Sequence, residues 1–128
     1  MLEYFDLRQT SLKIANWEAT ALAKEYGTPL YLYDASIFET KYRKLREALP
    51  SQADIFFAIK SNPSLAVVNL FRSLGAGVDL ASLGELQTAL KAGVVPQKIV
   101  FTGPSKTDPE IEAAIRTQIF AINAESER

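Results

Sequence analysis

The stretch Ala53–Pro63, ADIFFAIKSNP, decides how the rest of the chain is read. Ile55, Phe56, Phe57, Ala58 and Ile59 make a short run of aromatic and β-branched residues bounded by turn-formers. Such a run predicts a strand buried on both faces, as in a parallel sheet. It ends on Lys60, a cation where a buried strand must meet either water or a site. Strand alternation groups Phe56, Ala58 and Lys60 on one face and Ile55, Phe57 and Ile59 on the other. A lysine next to a small alanine at a strand's carboxyl end stands where α/β sheets and barrels receive ligands. Read on these residues alone, Lys60 is either a site residue or a strand-end lysine reaching out to solvent.

Downstream, the pattern repeats. Leu65–Leu74 reads as a helix closed by Gly75, and Gly77–Ala81 as the next strand. Ser82 opens a helix through Ala92, stopped by Gly93, and Lys98–Thr102 is a further strand. Pro109, behind Asp108, marks the first turn of another helix, and Gln118–Ile122 reads as a fourth strand. The strand ends fall near Lys60, Ala81, Thr102 and Asn123, about 20 residues apart, which is the length of a βα unit in a parallel sheet. Upstream, Met1–Thr10 reads as an irregular lead-in and Leu12–Ile14 as a short strand. Asn16 is the expected cap of a helix through Tyr26, Leu30–Tyr33 a strand, and Asp34 the cap of an amphipathic helix through Leu49. A closed (β/α)8 barrel takes about 250 residues, so four strands with helices on one side leave half an interior uncovered. The expectation is therefore the amino-terminal half of a larger (β/α)8 TIM-type barrel.

Composition narrows the chemistry. The 128 residues are 48% hydrophobic and 23% charged, with a net charge of -1, which predicts a globular chain with no pull toward nucleic acid or an anionic membrane. No apolar run approaches the roughly 20 residues of a spanning helix and no signal peptide opens the chain, so a cytoplasmic location is expected. Cysteine and histidine are both absent. Disulfides, thiolate nucleophiles, Ser-His-Asp triads and histidine metal sites are thus excluded within these residues, leaving proton transfer to Lys, Tyr, Asp or Glu.

Phe56–Val94, FFAIKSNPSLAVVNLFRSLGAGVDLASLGELQTALKAGV, resembles the start of the barrel in fold type III pyridoxal-phosphate decarboxylases, which include the diaminopimelate, ornithine and arginine decarboxylases. EYGTPLYLYD (Glu25–Asp34) is similar to the segment leading into that barrel, and KIVFTGPSKTDPEI (Lys98–Ile111) and INAES (Ile122–Ser126) to its third and fourth strand regions. The resemblance implies a lead-in over residues 1–34, which in the family contacts a β-domain, and the first four βα units over residues 35–128. It implies pyridoxal 5'-phosphate as cofactor, an amino-acid substrate, a homodimer at full length, and loss of CO2 as the reaction. Lys60 then matches the lysine that forms the internal aldimine. Ala58 matches a small residue lying against the cofactor, Asp79 an acidic residue beside the lysine, and Glu85 a glutamate near the same site. The family's ring-stacking histidine, phosphate loop and pyridinium partner belong to later strands.

Plainer readings stand beside these. Asp79 also reads as a satisfied strand-end carboxylate, and Ser82-Leu-Gly-Glu85 as a capping box. Asn62 reads as a turn-former, Lys106 as surface or rim, and Tyr31, Tyr33, Phe56, Phe57 and Phe101 as core. Gly75 and Gly77 read as a tight helix-to-strand turn. Three other functions compete. An alanine racemase shares the barrel and the lysine, but its pattern continues with an Ala-Tyr-Gly-His-like string where this chain has Ser61-Asn62-Pro63-Ser64. A non-catalytic pyridoxal-phosphate carrier predicts bound cofactor without CO2 release. A self-associating half-barrel predicts a stable dimer and no bound cofactor.

Overall fold

The computed structural model describes residues 11–126. The lead-in expected over Met1–Thr10 lies outside the described residues. The chain divides into two compact units, Met1–Leu45 and Arg46–Arg128.

In the first unit, β1 (Lys13–Ile14) and β2 (Trp17–Glu18) pair antiparallel around Ala15 and Asn16, both at positive φ. Asn16 thus forms the hairpin turn rather than a helix cap, and α1 (Ala19–Tyr26) starts behind Glu18. The strand expected over Leu30–Tyr33 is not formed. That stretch is irregular, its tyrosines stand exposed (Tyr31 at 86%), and Tyr31, Tyr33 and Phe38 stack in series. β-propensity alone makes no strand where no neighbouring strand supplies hydrogen bonds. Asp34 does cap α2 (Ala35–Ala48): its Oδ1 accepts from Ser36 N–H at 2.9 Å and from the Ser36 hydroxyl at 2.6 Å.

The second unit is the repeat. β3 (Phe56–Ala58), β4 (Gly77–Leu80), β5 (Ile99–Phe101) and β6 (Ala121–Ile122) form one parallel sheet in sequence order, with α3 (Leu65–Ser73), α4 (Leu83–Lys91) and α5 (Asp108–Thr117) as crossovers. Thr102 N–H to Leu80 O (2.8 Å) and Asn123 N–H to Phe101 O (2.9 Å) carry the ladder to the strand ends expected from sequence. Before the sheet, the Arg46 guanidinium donates to the carbonyls of Leu49, Pro50 and Ala53, closing the carboxyl end of α2 with a cation.

Alternation along the strands separates two faces. Val78, Leu80, Ile99 and Phe101 are fully buried, and they form one core with Val68 of α3, Leu86 and Ala89 of α4 and Ala114 of α5. Phe57 joins this layer by stacking on Phe71 at 4.0 Å between centroids. The other face carries Ala58, Asp79, Val100 and Ala121 in register, none of them fully buried. All crossover helices therefore pack on one side, the α/β arrangement of an opening (β/α)8 barrel.

Two glycines do different work. Gly75 (φ 96°) ends α3 in the left-handed region, its N–H on Arg72 O and that of Ala76 on Phe71 O. Gly77 is needed for space instead: a Cβ there meets the Phe56 ring at 2.6 Å and Lys98 O at 2.7 Å. Gly77→Ala should therefore cost about 1–3 kcal/mol, as overpacked sites do. Urea unfolding of the intact protein reads this, and an unchanged midpoint refutes the close approach.

Candidate active site

Lys60 does not continue the strand. The backbone closes after Ala58 into a 3₁₀ turn, Ile59–Ser61, with Asn62 N–H on Ile59 O (2.9 Å) and the Ser61 hydroxyl on Ala58 O (2.7 Å). Pro63 explains the brevity of the turn, because the residue before a proline is pushed out of the helical region, and Asn62 lies at φ −159°, ψ 95°. Ile59 is completely buried in the helix-side core, which pins the turn. Lys60 therefore rides on this turn and not on the strand expected to end with it, and its side chain is 42% exposed.

Its Nζ lies 3.0 Å from Asp79 Oδ2. Asp79 reaches this place by register. It stands opposite Ala58 on the neighbouring strand, and the burial of Val78 and Leu80 on the helix side turns its side chain to the other face. Ala58 presents only a methyl there, and Val100 an apolar side chain on the other flank, so the charged partner of Asp79 comes from the 3₁₀ turn. The pair is unequally solvated, Asp79 being 24% exposed against 42% for Lys60. Asp79 Oδ1 is buried and has no hydrogen-bond partner among the described residues, and the same holds for Asn62 Nδ2.

Glu85 is turned to the backbone. Its Oε2 accepts from Ala81 N–H at 2.6 Å, while its own N–H donates to Ser82 Oγ at 3.2 Å. Ser82 thus caps α4 as expected, while the Glu85 carboxylate reaches one residue further back, to Ala81, and closes the turn just past Asp79. A complete capping box sits one unit later, at Thr107 and Glu110, and it went unread although its Thr-x-x-Glu spacing was in view. Glu110 Oε2 accepts from Thr107 N–H and hydroxyl and Oε1 from Leu83 N–H, binding the amino ends of α4 and α5 together. These bonds, Thr107 first, hold the Glu110 carboxyl below the usual carboxylate range.

Lys106 was expected at the surface or rim, but its side chain is only 9% exposed. Nζ donates to Gly103 O, to Asn123 O at 2.6 Å and to Glu125 Oε2 at 2.9 Å, and Glu125 Oε1 accepts from Gly103 N–H at 2.7 Å. The lysine therefore ties the loop after β5 to the chain leaving β6, beside a cavity of about 340 Å³ that Ile111 and Ile122 help to line. Sequence reasoning missed it because the acceptors on Asn123 and Glu125 lie far along the chain. Among the described residues no cluster of three or more acidic side chains is arranged to hold a metal, and no helix is long and apolar enough to cross a membrane.

Residues 35–128, the whole of the sheet and its crossovers, match the family model described as "Pyridoxal-dependent decarboxylase, pyridoxal binding domain". The chain belongs to the pyridoxal-dependent decarboxylases. It is 41% identical over 109 residues to the L-glutamyl-[BtrI acyl-carrier protein] decarboxylase of Niallia circulans, covering 85% of this chain and 26% of that protein. It is 38% identical over 123 residues to the diaminopimelate decarboxylase of Aquifex aeolicus, covering 96% and 29%. A crystal structure of diaminopimelate decarboxylase from M. jannaschii in complex with L-lysine superposes with a TM-score of 0.88 at 32% identity, covering 97% of this chain and 30% of that one. The chain thus spans roughly 30% of the length of the relatives it matches. The cofactor of this decarboxylase family is pyridoxal phosphate, and the residues present fit it: an aldehyde needs a reachable primary amine, and Lys60 supplies one beside a carboxylate with an oxygen to spare.

The Lys106 clamp generates a test of its own. Lys106→Met should leave two carbonyls and a carboxylate without this donor and lower the unfolding midpoint at neutral pH. The Lys106 hydrogen bond is the chief cause that holds the Glu125 carboxyl below its usual range. The clamp therefore contributes fully above the ordinary carboxylate range and is lost as pH falls through the lowered value. The gap in unfolding midpoint between wild type and Lys106→Met should accordingly narrow toward acid pH as the Glu125 contact is lost; a gap that is constant with pH argues against that contact.

Proposed function

We propose that this chain is the amino-terminal portion of a pyridoxal-phosphate-dependent amino-acid decarboxylase, such as a diaminopimelate decarboxylase, in which Lys60 holds the cofactor through Nζ. The observation that carries the reading is the amine–carboxylate pair of Lys60 and Asp79, 3.0 Å apart at the carboxyl ends of adjacent parallel strands. Its position within the segment matching the pyridoxal binding domain supports it. Residues 1–34 are then a lead-in and residues 35–128 the first four βα units of the barrel, in a whole protein that is a cytoplasmic homodimer.

When bound, pyridoxal phosphate supplies an electron sink for the carbanion left as a carboxylate departs. The chain's own residues prepare for that. Asp79 orients the Lys60 ammonium and balances its charge, through an oxygen whose position the strand register fixes. Ala58 leaves room above the strand, since nothing beyond a methyl group projects there. Glu85 acts at one remove: by holding Ala81 N–H it fixes the turn that follows Asp79.

The deciding experiment mixes the intact protein with pyridoxal phosphate, reduces it with borohydride and maps the modified peptide. The label is expected on Lys60, and a label elsewhere, or none, overturns the assignment. Lys60→Ala should abolish the visible cofactor band. Asp79→Ala should keep the cofactor yet slow CO2 release by about tenfold or more, the size of one lost charge-assisted hydrogen bond. Full activity in that variant returns Asp79 to a structural role.

A further inference from the structure

The two buried polar atoms without a partner among the described residues are an acceptor, Asp79 Oδ1, and a donor, Asn62 Nδ2. Both flank Lys60. Asp79 is its ion-pair partner, and Asn62 ends the 3₁₀ turn that carries it, a turn packed directly on β4. The orientation of the Asn62 amide follows from its other bond: Oδ1 accepts from Ser64 N–H at 3.1 Å, which leaves the NH2 as the inward group. A turn-former needs only that oxygen. The buried NH2 is a second feature, and the turn does not explain it.

We propose that Asn62 is a positioning residue for Asp79, its Nδ2 donating to the carboxylate when Lys60 Nζ is committed to the cofactor. The inference rests on the cofactor assignment of Lys60 given above. Its physical basis is that Lys60 can leave the pair while Asp79 keeps its place on the strand. Asp79 is fixed by strand register, whereas Lys60 is a long, 42% exposed side chain whose nitrogen is also the reactive atom. Whenever that nitrogen leaves, a half-buried carboxylate loses its one ionic partner, and an uncompensated buried charge is strongly disfavoured. An amide donor on the same turn, unbonded while Lys60 holds the carboxylate, offsets that loss once the released carboxylate turns to it, and it moves no proton.

The variants separate this role from turn formation because they rank in opposite orders. Asn62→Asp keeps the oxygen that accepts from Ser64 N–H but replaces the buried donor with a second negative charge on the turn that packs against β4. Asn62→Ala loses the turn bond and the donor without adding a charge. Coupling to Asp79 predicts that Asn62→Asp is the worse variant, weakening the affinity of the apoprotein for pyridoxal phosphate by about tenfold or more, the range of a lost hydrogen bond to a charged group. On an Asp79→Ala background both substitutions should then have little further effect on that affinity or on kcat/KM. Apoprotein titration followed by the visible cofactor band gives the first readout, and steady-state kinetics of the intact enzyme the second. Should Asn62→Asp not fold, Asn62→Ala with and without Asp79→Ala still decides the matter. A larger loss in Asn62→Ala than in Asn62→Asp, losses that persist undiminished without Asp79, or no loss at all would each overturn the proposal. Failure of borohydride to label Lys60 in the wild-type protein removes the cofactor assignment itself. A label on Lys60 with additive losses removes only the role of Asn62.

Discussion

An ammonium 3.0 Å from a carboxylate, one on the turn that leaves β3 and the other on β4 beside it, is the interaction on which the site depends. Neither partner gets there by side-chain length alone. Ala58 and Asp79 are registered neighbours, so the carboxylate stands at the height of the strand end, and the turn that follows Ala58 brings the lysine back over it. Ile59, wholly buried on the opposite side, holds that turn. A one-residue slip between β3 and β4 would send Asp79 into the apolar layer and Val78 or Leu80 out of it, which hydrophobic burial forbids. The packing of the helix face thus fixes the chemistry of the other face.

The carboxyl ends of the later strands are secured by a common device. After β4, Glu85 holds Ala81 N–H; after β5, Glu110 holds Thr107 and reaches across to Leu83; beyond β6, Glu125 holds Gly103 N–H. In each case a carboxylate satisfies backbone donors at a loop or helix start, where such donors are in surplus. The loops that border the site are therefore tied down by side chains that need take no part in the reaction.

Much of this was legible in the sequence. The recurring apolar runs, with Gly75 and Gly93 closing helices, located the sheet and its crossovers, and the strand ends fell where expected. Lys60 could be singled out because it ends an apolar run with a charge, and Asp79 only through the resemblance to the decarboxylases. What was not legible depended on partners distant in sequence or on competing local bonds. The alternation did place Lys60 on the side of Ala58, and Ile59 in the core, but the strand itself stops at Ala58, where the Ser61 hydroxyl and Pro63 turn the backbone. Leu30–Tyr33 has the composition of a strand but no neighbour to pair with. Lys106 looked like any exposed lysine, because the acceptors on Asn123 and Glu125 that bury it belong to the next unit.

The saturation of Lys106 has an electrostatic consequence. An ammonium has three hydrogens to give, and here Gly103 O, Asn123 O and Glu125 take all of them, with Glu125 also cancelling its charge. The adjoining cavity is accordingly walled by a cation that is mute toward anions. A phosphate or carboxylate arriving at that cavity finds no ammonium hydrogen of Lys106 left to accept.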